Sequence, residues 1–231
     1  MRLSIAHSVD LDDAFMFWAL SSGKLAPTRW GFLSPAFIAA ETETLNRWAA
    51  EVCHDVVAVS VAHVPALAQN YLLLPHGGSL GRGYGPVVVA REPFSLADLD
   101  QRRVGIPGEH TTAAQLLARA APTARAVVVP FYGAMDAIDA GAIDAAVLIH
   151  EGRLVYRQRG FHLVCDLGVW WQERHDLPLP LGGNVIRRAL GADVIARASD
   201  MLRESIRYAL AHRELALDEL LRARAASGAA N

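Results

Sequence analysis

The run Ala145–Ile149 is apolar and ends on His150, with Glu151, Gly152 and Arg153 directly behind it. Five apolar residues in a row read as a buried strand, and strand ends in open α/β sheets face the ligand crevice. An imidazole placed there titrates near neutral pH and moves a proton. The same residues also fit a histidine hydrogen-bonded to backbone beside a solvated glutamate. The pattern alone leaves both readings open.

A second stretch, GEHTTAAQ, places Gly108, Thr111 and Thr112 where an apolar run gives way to a helical pattern. The first N–H groups of a helix have no intrahelical partner and bind anions, and two hydroxyls add donors. This is a candidate carboxylate or phosphate seat. The plainer reading is that Thr112 only caps the helix, in a capping box with Gln115.

The stretch HGGSLGRGYGP contains Gly77-x-Ser79-x-Gly81, a formal nucleophile-elbow match. That chemistry needs strand, sharp turn and helix in order, and here further glycines and the apolar PVVVA follow. The glycines are spaced wrongly for a dinucleotide fingerprint. The stretch is either a flexible loop before a strand or a backbone-rich wall that approaches a ligand closely. Downstream, Trp170 and Trp171 either pack in the core or wall a pocket. Pro178 and Pro180 enforce an extended path, and Gly182, Gly183 and Asn184 offer close backbone approach and an amide.

Metal chemistry finds no support in spacing. HEGRL lacks the second histidine of a zinc helix, and the nine histidines show no ligand arrangement. Cys53 and Cys165 are far apart without CxxC spacing, so reduced, structural thiols free of metal are expected.

Stepping outward, the elements that must position these groups alternate between short apolar strands and amphipathic helices, which predicts an α/β fold. Strands are expected at RLSIA, DVVAVSVA, PVVVA, RRVGIPG, AVVVPF and DAAVLI. Helices are expected at DDAFMFWALSSGK, TETLNRWAAEV, TTAAQLLARAA and AMDAIDAG, and from about Asp193 to Ala226 with a break near His212. SLADLDQ begins with a capping-box pattern, Ser95 and Asp98. Crossing points near Ala90–Pro93 and Pro178–Gly183 divide the chain into a discontinuous first lobe, 1–91 and 182–231, and an inserted second lobe, 92–181. Two-lobed α/β proteins bind small ligands in the cleft between lobes.

With 231 residues, 52% hydrophobic and 20% charged, the chain buries a real core. A net charge of −2 with no basic stripe argues against nucleic acid and an anionic membrane surface as main partners. Acidic residues from Asp10 onward argue against a secretory signal, and no apolar stretch has membrane-spanning length. A cytoplasmic protein acting on a small molecule is expected, and a homodimer is compatible with these features.

Taken in order, TETLNRWA, GYGPVVVA, GEHTTAAQLL, AAVLIHEGRLVY, LGVWWQER and LPLPLGGNVIRR resemble the menaquinone-biosynthesis MqnD family, 1,4-dihydroxy-6-naphthoate synthases of the futalosine pathway. The resemblance implies a type II periplasmic-binding-protein-like fold and a cytoplasmic lyase. It would convert cyclic dehypoxanthinyl futalosine to 1,4-dihydroxy-6-naphthoate without metal or redox cofactor. It implies His150 as base, with Ser8, Asn46, Ser60, Thr111 and Thr112 around a small-molecule carboxylate substrate. Gly108, Gly182 and Gly183 join them as points of close backbone approach. The chain departs from the family at Val9, where proline is common, and in a C-terminal stretch after YALAH that is shorter than usual. Reduced closing helices of the first lobe are therefore expected. A non-catalytic cytosolic carboxylate binder of the same fold is the alternative. The IHEGRL and LPLPLGG blocks argue against the related chorismate-dehydrating enzyme.

Overall fold

The computed structural model describes residues 1–150 and 152–226. The chain divides into two compact units. One comprises Met1–Val59, Val64–Gly78 and the chain from Gly183 onward; the other comprises Ser60–His63 and Ser79–Gly182.

In chain order the strands are β1 (Ser4–Ser8), β2 (Ala36–Ala40), β3 (Val56–Ser60), β4 (Tyr71–Leu73), β5 (Ser79–Gly81), β6 (Val87–Ala90), β7 (Arg103–Ile106), β8 (Arg125–Val128), β9 (Ala145–Leu148), β10 (His162–Asp166) and β11 (Leu179–Arg187). The helices are α1 (Leu11–Ser21), α2 (Thr42–Ala50), α3 (Val64–Leu67), α4 (Thr112–Ala120), α5 (Ala134–Asp139), α6 (Gly152–Val155), α7 (Leu167–His175), α8 (Ala192–Ala211) and α9 (Arg213–Ala226).

The sheet of the first unit runs β2-β1-β3-β11-β4. β1 is parallel to β2 and β3, and β11 is antiparallel to β4. Asp55 fastens its centre. Its carboxylate accepts from the Ser4 amide at 3.0 Å and pairs with Arg187 at 2.7 Å, so β1, β3 and β11 share one anchor. On one face α1 buries Phe17, Trp18, Ala19 and Leu20 against Met201 and Leu202 of α8. Fully burying a side chain of this size contributes about 1.5–3 kcal/mol. The Ser205 hydroxyl donates to the Met16 carbonyl at 2.7 Å, and the Trp18 indole donates to Glu219 of α9 at 2.9 Å. The expected break near His212 separates α8 from α9.

The sheet of the second unit runs β10-β6-β9-β7-β8. β7 is parallel to β8 and β9, whereas β6 is antiparallel to β9 and β10. β6 and β9 are buried at every position, which is why VVVA and AAVL read as continuous apolar runs rather than alternations.

The lobe boundaries differ from those expected. The first lobe was placed at 1–91, yet Ser79–Arg91 belongs to the second unit, because β6 is held between β9 and β10. The short segment Ser60–His63 belongs there too, and the last division falls between Gly182 and Gly183. LPLGGNVIR follows the extended path expected of this stretch and is the nine-residue strand β11. Its first half pairs with β5, with a bulge between Pro180 and Gly182; its second half pairs with β4. A bulge tolerates a proline that a regular central ladder would not.

Candidate functional site

Two residues beyond β7 the chain reaches buried Gly108 and turns into α4. Thr111, not Thr112, is the N-cap: its hydroxyl oxygen accepts from the Ala114 amide at 3.1 Å. The Thr111 hydroxyl donates to the Gly108 carbonyl at 2.7 Å. Thr112 is the first helical residue, and its hydroxyl donates to the Leu181 carbonyl at 2.8 Å while accepting from the Ala62 amide at 3.4 Å. Both hydroxyl protons are therefore committed within the protein. What α4 offers an anion is the Thr112 and Ala113 amides and the positive end of the helix. The same bonds bring together Ser60–His63, Gly108–Thr112 and Leu181–Gly182. Buried His63 adds a ring contact to His110, with centroids 4.6 Å apart.

His150 follows β9, the direct neighbour of β7 and parallel to it. Register pairs Val104 with Ala145 and Gly105 with Ala146. His150 and Gly108 therefore leave the sheet at the same C-terminal edge, from strands about 4.8 Å apart. The strand stops at Leu148, and half-buried His150 lies in a turn with φ of 48°. A non-glycine residue in the left-handed region costs free energy, and such residues cluster at functional sites. The strand alternation therefore ends before His150, and Glu151 lies outside the described residues.

The same edge carries a group that sequence reading passed over. Arg153, on α6, lies with its guanidinium 4.8 Å from the Tyr84 ring. Its Nη2 is 3.9 Å from Asp166 Oδ2, and its buried Nε has no hydrogen-bond partner among the described residues. Asp166 ends β10 and caps α7, its Oδ1 accepting from Gly168 and Val169 at 2.8 and 3.1 Å. Tyr84 belongs to the glycine-rich stretch, which is neither slack nor a nucleophile elbow. A Cβ on Gly168 would lie 2.0 Å from the Tyr84 carbonyl carbon and 2.2 Å from the Gly85 nitrogen, so α7 starts flush against that backbone. Ser79 opens β5 and pairs with Gly182, which removes the strand–turn–helix context of a hydrolase serine. Trp170 and Trp171 pack on the core of this unit.

In the first unit, Ser8 ends β1 and is buried. Its amide donates to Asp13 Oδ2 at 2.7 Å, and its hydroxyl donates to buried Asp10. Burial pushes the Asp13 carboxyl up to about 7, against the lowering effect of the Ser8 amide, with Asp12 and Asp10 adding repulsion. Neighbouring His7 is lowered by burial, its ring packed on Phe17 at 5.5 Å between centroids. Sequence reading places Asp12 and Asp13 only at the start of an expected helix. The only available signal was a serine at a strand end followed five residues later by an acid. Asn46 on α2 is fully buried, as are Gly183 and Asn184 in β11. The Asn184 amide donates to the Gly77 carbonyl at 3.0 Å, fixing a glycine with φ of 73°.

Cys53 is exposed and Cys165 half-buried, and both are free thiols. Among the described residues no group of three or more His, Cys, Asp or Glu side chains is arranged to hold a metal ion. No helix among them is long and apolar enough to cross a membrane.

Comparison with known proteins gives this edge its context. A family described as menaquinone biosynthesis matches residues 3–229. The chain is 42% identical over 217 residues to a 1,4-dihydroxy-6-naphtoate synthase of Thermus thermophilus, covering 94% of this chain and 77% of that one. It is 40% identical over 216 residues to the enzyme of the same name from Streptomyces coelicolor, covering 90% and 73%. A crystal structure of an Archaeoglobus fulgidus protein superposes with a TM-score of 0.88 at 39% identity, over 95% of this chain and 81% of that one. At fold level alone, an alkanesulfonate-binding protein from Xanthomonas axonopodis matches with a TM-score of 0.71 at 14% identity, over 98% and 79%. A Candida albicans protein described as having the generic periplasmic binding protein fold matches at 0.67 and 13%, over 95% and 75%. The fold is periplasmic-binding-protein-like, and the chain belongs to the menaquinone biosynthesis family.

Proposed function

We propose that the chain is a cytoplasmic lyase that converts cyclic dehypoxanthinyl futalosine to 1,4-dihydroxy-6-naphthoate, with His150 as general base. One observation carries the reading. His150 and the start of α4 leave adjacent parallel strands at the same edge of one sheet, a titratable base beside a helix that presents amides to an anion. The names of the two relatives support the product.

In this reading the ligand carboxylate lies on the Thr112 and Ala113 amides at the positive end of α4. Gly108 and Gly182 let backbone approach it without side-chain interference. Ser60, in the same compact unit, completes the proposed ligand set there. His150 removes a proton from carbon, the bond to the ribose remnant breaks so that the remnant leaves as a three-carbon sugar, and the ring that remains becomes aromatic. Aromatisation supplies driving force, so the protein's part is positioning and one proton transfer. The left-handed conformation of His150 supports a residue held for function rather than for local comfort.

Incubating the purified protein with cyclic dehypoxanthinyl futalosine and following the naphthoate by chromatography tests the reading. Formation of naphthoate at rates that depend on His150 is the expected result. Tight binding with no turnover would replace the lyase by a carboxylate-binding protein of the same fold.

A further inference from the structure

Arg153 is under-used where it stands. Of its counter-ion's two oxygens, Asp166 Oδ1 is spent on the first amides of α7, and Oδ2 is 3.9 Å from Nη2, beyond hydrogen-bond range. Buried Nε has no hydrogen-bond partner among the described residues. Yet the guanidinium lies over the Tyr84 ring, 4.8 Å from its centroid, and the side chain remains 25% exposed. The Tyr84 hydroxyl donates to the Leu80 carbonyl at 3.2 Å, and the Tyr84–Gly85 backbone lies flush against Gly168. A guanidinium set over an aromatic ring, partly desolvated and with its Nε unpartnered among the described residues is arranged to receive an acceptor from a ligand.

Its position says which acceptor. Arg153 is three residues from His150, across the turn at the C-terminal edge of the sheet. We propose that Arg153 is a second catalytic residue, a charged N–H donor to the oxygen that becomes negative when His150 takes a proton from carbon. This rests on the reading of His150 as the base.

The step balances within the site. The C–H bond breaks and its proton goes to an imidazole nitrogen of His150. The electron pair forms a carbon–carbon double bond, and the π pair of the neighbouring carbonyl moves onto its oxygen, giving an enolate. An aromatic hydroxyl is the enol form of a ring ketone, so a dihydroxy aromatic product carries an oxygen of this kind. Donors aimed at a developing oxyanion act on the transition state more than on the ground state.

The test uses Arg153→Gln and Arg153→Lys with two readouts. Steady-state kinetics on cyclic dehypoxanthinyl futalosine should show kcat reduced about 10²–10³-fold in Arg153→Gln with KM changed little, as for loss of an oxyanion donor. An anaerobic absorbance titration of protein-bound 1,4-dihydroxy-6-naphthoate should show a hydroxyl ionising at lower pH than in free solution. That shift should vanish in Arg153→Gln and survive in part in Arg153→Lys. A kcat in Arg153→Gln within about threefold of the unaltered protein overturns the assignment, since a donor of this class is worth far more. Identical ionisation of the product in both proteins overturns it as well. If Arg153→Gln does not fold, Arg153→Lys carries both measurements, with an intermediate loss of kcat expected and an unchanged kcat and titration overturning the role. If the unaltered protein neither turns over the substrate nor binds the product, the reading of His150 fails and takes this one with it. Turnover that ignores Arg153 sinks this proposal alone.

Discussion

The Thr112 hydroxyl oxygen stands 2.8 Å from the carbonyl of Leu181, 69 positions along the chain, and 3.4 Å from the Ala62 amide. One hydroxyl spends its proton on a segment that precedes the passage at Gly182–Gly183. It spends a lone pair on the excursion Ser60–His63. Thr112 is therefore a fastener, and any anion at the start of α4 meets backbone amides. Thr112→Val should destabilise the protein by about 1–3 kcal/mol, because two partners lose their bond. Thr112→Ser should restore most of that stability and leave affinity for the naphthoate unchanged. Urea unfolding and calorimetric titration check both halves. A serine variant with native stability but weakened binding would return a ligand role to the methyl-bearing side chain itself.

Gly168 allows a second expectation. A Cβ there would enter the Tyr84–Gly85 backbone at 2.0–2.2 Å, and backbone cannot swing aside as a side chain tip does. Gly168→Ala should cost about 2–4 kcal/mol, at or beyond the upper range for overpacking. Gly83 has φ of 67° but no neighbour within 4 Å, so Gly83→Ala should cost only about 1–2 kcal/mol, the left-handed conformation alone. Equal unfolding midpoints for the two variants would show that the loop yields.

Those glycines illustrate what the sequence discloses and what it conceals. β6 and β9 were legible because both faces are covered and the runs are uniformly apolar. The positions of His150 and of the Gly108–Thr112 turn at strand ends were legible because an apolar run stops just before each. The cap was misread by one residue, since Thr111 and Thr112 both have a partner three positions on and only geometry decides between them. β4 and β5 span three residues each, too few for a period to show. β11 was hidden by two prolines' worth of turn signal at Pro178 and Pro180 and by Gly182–Gly183, all accommodated at or beside one bulge. Arg153 and Asp13 were invisible for another reason. Their character comes from neighbours 69 and five positions away, Tyr84 and Ser8, that no local pattern connects.

Asp13 gives a pH dependence whose sign is fixed. Its folded carboxyl titrates near 7, above an ordinary value of 3.8, so the folded state holds the proton more tightly than the unfolded one. The associated stability is fully present below about 4 and is lost as pH rises towards 7. His7 acts oppositely, since burial favours its neutral form and its contribution is lost as pH falls. Asp13→Asn isolates the first effect, because the amide oxygen still accepts from the Ser8 amide. The variant should match the native protein near pH 4 and exceed it by up to about 4 kcal/mol at pH 8, a shift of about three units at about 1.4 kcal/mol each. Urea midpoints at the two pH values measure this. A stability difference that does not grow with pH would show Asp13 ionised throughout.

The last expectation separates what His150 costs from what it does. With φ of 48° it occupies a conformation that glycine adopts freely and asparagine tolerates. His150→Gly should fold with native stability or gain up to about 1 kcal/mol, the relief of strain being offset by a more flexible unfolded chain. His150→Asn should keep the turn and the stability. Both should lower kcat by about 10²–10⁴-fold, the range for loss of a general base, while the naphthoate still binds. Added imidazole should restore part of the activity of His150→Gly, where the ring has been removed from a preserved turn, and less of His150→Asn, whose side chain occupies the space. A merely structural histidine predicts the reverse: lost stability and no rescue. Glu151, adjacent in sequence, provides the competing assignment. Full activity in His150→Asn combined with loss in Glu151→Gln would move the base to the carboxylate. Rescue by imidazole in His150→Gly, with Glu151→Gln active, places it on the ring.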